Sequence, residues 1–170
     1  MPADQIDQIL DQWRHHATVR TDPAPLGVTG RVLQIAQHLE RSRLKVLSSW
    51  GLTLADFDVL ATLSRSAFQR SVNPRDLLAE TMITSGAMTT RLDRLEALDC
   101  IRRDPDPSDR RGVLISLTET GKVMVEQAFA AVMASEGALL ASLSVAERRR
   151  LDSALRTLVL ACRGAPQDLS

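Results

Sequence analysis

The residues with the clearest potential for chemistry lie in one short turn between two apolar stretches. The segment Asp106-Pro107-Ser108-Asp109 leads into two adjacent arginines, Arg110 and Arg111, and Gly112 follows them. Guanidinium groups bind phosphate through paired hydrogen bonds, and proline stiffens the turn that carries them. A connection this long between two strands is uncommon unless it has a function of its own. The turn therefore indicates contact with phosphate through Arg110 and Arg111, with Asp109 orienting Arg111.

A predicted amphipathic helix over 84–99 precedes this turn. Its apolar side chains recur at helical spacing and are expected to face inward: Met88, Leu92, Leu95 and Leu98. Small polar residues and one arginine occupy the opposite face, and we expect these to contact DNA: Ser85, Gly86, Thr89, Thr90 and Arg94. Short strands are predicted at 101–103 and 113–117, on either side of the turn. This order of elements is that of a winged helix-turn-helix, in which a helix enters the major groove and the wing contacts the backbone.

The rest of the chain is expected to be helical, which gives a mostly α protein with a small β wing. Four residues are expected to cap helices at their starts: Thr53, Asn73, Thr118 and Ser144. Besides the helix that follows Thr53, helices are predicted over 4–19, 30–50, 74–80, 119–142 and 145–162. We divide the chain into an N-terminal extra helix and long helix (1–50), the DNA-binding region (51–118) and C-terminal helices (119–170), all within one compact domain. The terminal helices carry apolar stripes that need a partner, so we expect them to form the dimerisation domain of a homodimer.

The sequence lacks the motifs and segments that would indicate an enzyme, a metalloprotein or a membrane protein. The sequence has no nucleophile–base–acid arrangement, no phosphate-binding glycine loop and no metal-ligand spacing, so we expect neither an enzyme nor a cofactor. No segment is expected to approach the roughly 20 apolar residues that span a bilayer, and the protein is expected to be cytoplasmic. Cys100 is expected to serve packing rather than redox sensing, and Cys162 to lie in the core.

Charge gives a weaker argument for DNA binding. The net charge is +0, and between Arg91 and Arg111 six arginines face six acids. A DNA-binding domain is usually basic, so the positions of these arginines must matter more than their number. An interaction module that has lost DNA binding therefore remains an alternative at this stage.

Three motifs in this order resemble the MarR family of bacterial transcription regulators. They are Asn73-Pro74-x-x-Leu77-Leu78-Ala79, Thr89-x-Arg91-Leu92-x-Arg94-Leu95-Glu96, and Asp106-Pro107-x-Asp109-Arg110-Arg111 with Leu117-Thr118 and Gly121. The resemblance covers about 30–160. It implies a homodimeric regulator that binds a palindromic operator on double-stranded DNA and responds to a small-molecule effector.

A narrower resemblance is to the urate-responsive branch of that family, the PecS- and HucR-like regulators. Members of this branch have an extra N-terminal helix with a tryptophan, an aspartate before the DNA-binding helices, and arginines on the recognition helix and at the base of the wing. The matching residues here are Trp13, Asp58, Arg91 and Arg103. The resemblance implies that they bind urate or a related small anion, whose binding releases the repressor from DNA.

The residue types agree with this implication. Arg91 follows Met88 by three positions and so leans toward the interior, and Asp58 lies in an apolar helix. Buried charges need partners, so Asp58 is expected to pair with Arg91 or Arg103 until an anion competes for the arginines and Trp13 stacks on it. A tricarboxylate such as aconitate or citrate, and a bulky aromatic drug or antibiotic, remain alternative effectors.

Overall fold

The computed structural model describes residues 3–16, 18, 20–65, 71–81, 85–109 and 112–164. The chain divides into two compact units, Met1–Val132 and Met133–Ser170, where the sequence suggests one compact domain. The first unit holds α1 to α5, both strands and most of α6. The end of α6 and the last helix form the second unit.

Seven α-helices, one short 3-10 helix at Ser48–Trp50 and two strands are present in the described part of the chain. The helices are α1 Gln5–Arg14, α2 Leu26–Leu47, α3 Leu54–Ser64, α4 Pro74–Glu80, α5 Ser85–Ala97, α6 Glu119–Leu140 and α7 Val145–Gly164. The strands are β1 Ile101–Pro105 and β2 Val113–Leu117, paired antiparallel with Ile101 opposite Leu117. Val72 pairs with Ile115 on the other side of β2. This confirms the predicted mostly α fold with a β wing.

Local capping chemistry sets most helix starts, as the sequence predicts. The Thr53 hydroxyl accepts a hydrogen bond from the Asp56 N–H, and Asn73 accepts one from Asp76 ahead of α4. Thr118 accepts from the Gly121 N–H at 3.0 Å, and Ser144 accepts from the Glu147 N–H at 3.3 Å. Each accepting side chain satisfies an N–H that the first helical turn leaves without an intrahelical partner.

Helices α1 and α2 depart from their predicted bounds. The sequence predicts that α1 continues to residue 19 and that α2 begins near 30, but α1 ends at Arg14 and α2 begins at Leu26. Gly30 lies inside α2, at the point where α1 packs against that helix. A Cβ at Gly30 would lie 2.9 Å from Ile6 Cδ1. The glycine therefore permits close helix packing instead of ending a helix.

The core of the first unit lies where α3, α4, α5 and the wing meet. Fully buried side chains there include Leu60, Leu77, Leu95 and Ile115. Cys100 is also buried, with its Sγ 3.5 Å from Met124 Sδ, and burial raises the pKa of its thiol. Its expected packing role is consistent with this position.

Exposed apolar side chains mark the long helices. Those of α2 include Val32 and Leu33, those of α6 include Phe129 and Met133, and those of α7 include Leu155 and Leu158. Such surface is unusual on a monomer. Cys162 is exposed on α7, so its predicted place in the core is wrong for the chain alone.

One of the described helices, α6, is long and apolar enough to cross a membrane by length and composition alone, contrary to expectation. Helices α2 and α3 meet that test only as a pair, and they are bent by 78°. The test is weak evidence, because a core or interface helix of a protein outside the membrane meets it too.

Candidate nucleic-acid interface

The turn of the wing is organised by its acidic residues. Asp106 Oδ1 accepts hydrogen bonds from the Ser108 N–H at 2.8 Å and from the Ser108 hydroxyl at 2.7 Å, which lower the pKa of Asp106. Backbone hydrogen bonds from Asp106 N–H to the Gly112 carbonyl and from Gly112 N–H to the Asp109 carbonyl close the loop. Arg110 and Arg111 lie outside the described residues.

The exposed face of α5 carries the residues expected to read DNA. Gly86, Thr89 and Thr90 are exposed, and Met88, Leu92 and Leu95 are buried, as the helical spacing predicts. Leu98 is the exception: it is 38% exposed, because it lies beyond the end of α5 at Ala97. Ser85 is the first residue of α5, and its side chain lies outside the described atoms.

Arg94, expected to contact DNA, is held by α3 and by the turn that precedes α3. Its Nε donates to Asp56 Oδ2 at 3.1 Å, and its Nη2 donates to the Gly51 carbonyl at 2.6 Å. Gly51 has φ +64°, a left-handed conformation that suits glycine and turns this carbonyl toward Arg94. The side chain of Arg94 is still 45% exposed. Its guanidinium is thus directed at the start of α3.

Arg91 leans inward, as predicted, but the carboxylate beside it belongs to Asp56. Arg91 Nη1 lies 3.5 Å from Asp56 Oδ1 and 3.5 Å from Thr53 Oγ1. The Arg91 side chain is 30% exposed, whereas Asp56 is fully buried. Asp58, the expected partner, is half-buried two residues further along α3.

Arg103 joins the wing, formed by β1, β2 and the turn between them, to the recognition helix α5. From β1 its Nη2 donates to Asp93 Oδ1 at 2.6 Å and its Nη1 donates to Glu96 Oε2 at 2.9 Å. The expected pairing of Arg103 with Asp58 is therefore corrected: the acids that hold Arg103 are on α5. The ion pairs lie across the β1–α5 contact, so a displacement of Arg103 would affect both elements.

These pairs explain how a charge-balanced segment is arranged. Arg91 and Arg94 face Asp56, Arg102 lies 3.0 Å from Asp104, and Arg103 lies between Asp93 and Glu96. The four arginines from 91 to 103 thus have acidic partners within the chain, which leaves the predicted phosphate contacts to the two arginines of the wing.

Trp13 and Arg103 line separate depressions. Trp13 is 44% exposed, lies with its ring 5.5 Å from that of His16, and borders a hollow of about 380 Å³ with Pro23, Pro25 and Leu26. Arg103 borders a hollow of about 500 Å³ between α4, α5 and β2. Among the described residues, no group of His, Cys, Asp and Glu is arranged to hold a metal ion.

Asp56 is the residue of this interface that was not predicted from the sequence. The Thr53-x-x-Asp56 spacing is that of a capping box, and both of its hydrogen bonds are present. The pattern is visible in the sequence. What local reasoning could not supply is the pair of arginines, 35 and 38 positions later, that meet the same carboxylate.

Comparison with known proteins identifies relatives of this chain among bacterial transcription regulators. The pattern of the MarR family matches residues 50–112. The transcriptional regulator PecS of Dickeya dadantii is 31% identical over 151 residues, covering 89% of this chain and 90% of that protein. A transcriptional repressor of Mycobacterium tuberculosis is 30% identical and covers 81% of this chain and 95% of its own length.

Solved structures give the same answer. A mutant MarR from E. coli complexed with operator DNA superposes with a TM-score of 0.66 at 28% identity, covering 92% of this chain and 99% of that one. The S. aureus MepR–DNA complex has a TM-score of 0.68 at 20% identity, a likeness of fold alone. The chain belongs to the MarR family: it is a winged helix-turn-helix transcriptional regulator, and its relatives are regulators, not enzymes.

Proposed function

We propose that this regulator is a cytoplasmic homodimeric repressor that binds a palindromic operator and is released by a small anionic effector, with urate the first choice. The observation that carries the proposal is the position of Arg103. It joins the wing to the recognition helix through Asp93 and Glu96. An anion that competed with these acids for Arg103 would disturb both elements that contact DNA in a winged helix.

The DNA part of the proposal is supported by the exposed face of α5 and by the relatives. Gly86, Thr89 and Thr90 are small and exposed, as a helix that enters the major groove requires. The E. coli relative is complexed with operator DNA, at 28% identity. The balanced charge does not separate DNA binding from an interaction module, since acids within the chain pair with the arginines of α5 and β1.

The effector part is supported by the likeness to PecS over most of the chain and by the four residue types. Arg91 and Arg103 are partly exposed at 30% and 28%, so each retains access for an anion. Trp13 borders a different depression from Arg103, so it either contacts the effector away from Arg103 or only anchors α1. A tricarboxylate remains the second candidate, because it would compete for the same guanidinium groups.

A gel-shift titration on the DNA upstream of the gene for this protein tests the proposal. We expect a specific complex that urate dissociates, and that xanthine, a purine less readily ionised at neutral pH, dissociates less well. Binding that ignores urate but responds to citrate or aconitate would replace the effector and keep the repressor. Absence of any sequence-specific complex would reject the repressor itself.

Substitutions at the predicted effector residues refine the test. Asp58→Asn is expected to impair release by the effector more than it impairs folding, and Trp13→Phe to weaken effector affinity while keeping the dimer. Calorimetric titration with urate and sedimentation without it measure these effects. Unchanged effector affinity in Trp13→Phe would return Trp13 to an anchoring role.

A further inference from the structure

Asp56 is a buried charge at the contact between α3 and the recognition helix. Its side chain is 0% exposed. Removing a carboxylate from water is costly unless cations and hydrogen-bond donors replace the water. Asp56 has both: Arg91 and Arg94, one helical turn apart on α5, and the N–H of Thr53.

The two carboxylate oxygens are held differently. Asp56 Oδ2 accepts from the Thr53 N–H at 2.9 Å and from Arg94 Nε at 3.1 Å. Asp56 Oδ1 is buried and accepts no hydrogen bond from the described residues, and Arg91 Nη1 lies 3.5 Å away. Arg94 therefore forms the firm link to α3, and Arg91 is held chiefly by charge.

Each of the two ion pairs with Asp56 is also expected to lower the affinity for nonspecific DNA. A guanidinium paired with a buried carboxylate is less available to the phosphate backbone. Phosphate contacts raise affinity for every sequence and carry no sequence information themselves. A residue that keeps two arginines of the recognition helix away from phosphate therefore favours sequence reading over nonspecific attachment.

We propose that Asp56 is a positioning residue for operator recognition. It sets the orientation of α5 on α3 through Arg94 and keeps Arg91 and Arg94 away from phosphate. The inference rests on the proposed DNA binding but does not depend on which effector is bound. Asp56 is not one of the effector residues that the sequence suggests.

The Asp56→Asn variant tests it, because the amide keeps the shape and can still accept from the Thr53 N–H. Affinities are measured by fluorescence anisotropy for two duplexes over a range of KCl concentrations. One duplex carries a site selected from a random pool by the wild-type protein, and the other is a scrambled sequence of equal composition. We expect the ratio of the two affinities to fall roughly tenfold, the size typical of one coupled interaction.

The affinity for scrambled DNA separates positioning from a general folding defect. Two freed arginines should raise that affinity and steepen the dependence of log K on log salt by about 0.9 for each additional phosphate neutralised. A damaged fold would lower both affinities together. Asp7→Asn is the matched control, because Asp7 occupies the same capping-box position in α1 and pairs with Arg31. It should leave the ratio and the slope unchanged.

Arg94→Gln tests the same link if Asp56→Asn does not fold. We expect a lower affinity ratio with an unchanged salt slope, because Arg94 neutralises Asp56 and not phosphate. A flatter slope would place Arg94 on the DNA backbone and overturn the inference.

The outcomes also distinguish the two proposals. If the wild-type protein selects no sequence from the pool, the repressor proposal fails and the inference fails with it. If the wild type discriminates and Asp56→Asn discriminates equally well, only the inference is rejected.

Discussion

At Gly121 the chain has no room for any side chain. A Cβ placed there would lie 1.9 Å from the carbonyl oxygen of Cys100, which belongs to the backbone and has no rotamer to change. The first turn of α6 thus packs directly on the segment that links α5 to β1. Gly121 is part of the motif that resembles the family, and its role here is steric.

Gly121→Ala is therefore expected to lower the free energy of unfolding by about 3 kcal/mol, at the upper end of overpacking costs. Urea denaturation followed by circular dichroism measures the change. Gly137→Ala is the matched control in the same helix, since nothing lies within 4 Å of the position of its Cβ. That variant should gain roughly 0.5–1 kcal/mol from helix propensity. Equal stability of the two variants would contradict the packing at Gly121.

The residue scale also shows which side chains local patterns could predict. Thr53, Asn73 and Ser144 cap helices where the sequence placed them, because capping depends on residues within one turn. The pairing of Asp56 with Arg91 and Arg94 escaped prediction, because ion pairs between distant segments leave no periodic signal.

At the scale of elements, α1 is docked on α2 by a network of charges. Arg31 donates from Nε to Asp4 at 2.7 Å and from Nη2 to Asp7 at 2.6 Å, while Ile6 and Leu10 are buried beneath. The extra helix therefore packs on its own chain, a point on which the sequence is silent.

The packing of α1 on α2 should weaken only at low pH. Hydrogen bonds from Arg31 and from the Asp7 N–H lower the pKa of Asp4, and those from the Asp4 N–H and Arg31 lower the pKa of Asp7. A lowered folded-state pKa gives stability that is present above the unfolded value, near 3.8, and is lost as pH falls through the folded value. Hydrogen exchange of α1 amides, corrected for intrinsic rates, should match at pH 7 and pH 5 and accelerate below about pH 4. Detachment already at pH 5 would contradict this.

The wing is the second element with a measurable role. Arg111→Ala should weaken binding to all DNA sequences about equally and flatten the salt slope by about 0.9 for each phosphate that is no longer neutralised. The slope is obtained from anisotropy titrations at several salt concentrations. Asp11→Asn, an exposed change on α1, is a control for handling and concentration. A weaker affinity at one base pair only would instead assign Arg111 to sequence reading.

Element boundaries show where sequence reasoning stops. The sequence predicts that α2 begins near 30, yet Gly27 and Gly30 both lie within it, and Leu10 and Ile6 of α1 pack on them. A glycine gives the same signal in sequence whether it ends a helix or admits a neighbour. The neighbour is defined only once the chain has folded.

For the whole molecule, the exposed apolar side chains of the long helices predict self-association. Leu155 and Leu158 on α7 are 39% and 46% exposed. We expect the wild-type protein to sediment as a dimer, and Leu155→Glu with Leu158→Glu to shift it toward monomer, because burying two carboxylates opposes association. Glu147→Gln, at the start of α7, serves as a control for a charge change on the same helix. A monomeric wild type would reject the dimer.

The chain carries its own optical reporter. It has two tryptophans and no tyrosine, so Trp13 and Trp50 dominate its near-ultraviolet emission. Trp13 lies on α1, half-exposed and beside the ring of His16, and Trp50 borders a hollow at the start of α6. With Trp50→Phe the emission would come from α1 alone, and with Trp13→Phe from the segment that leads into α3. Undocking of α1 and rearrangement near the DNA-reading helices would then be followed separately, in real time, without attaching a dye.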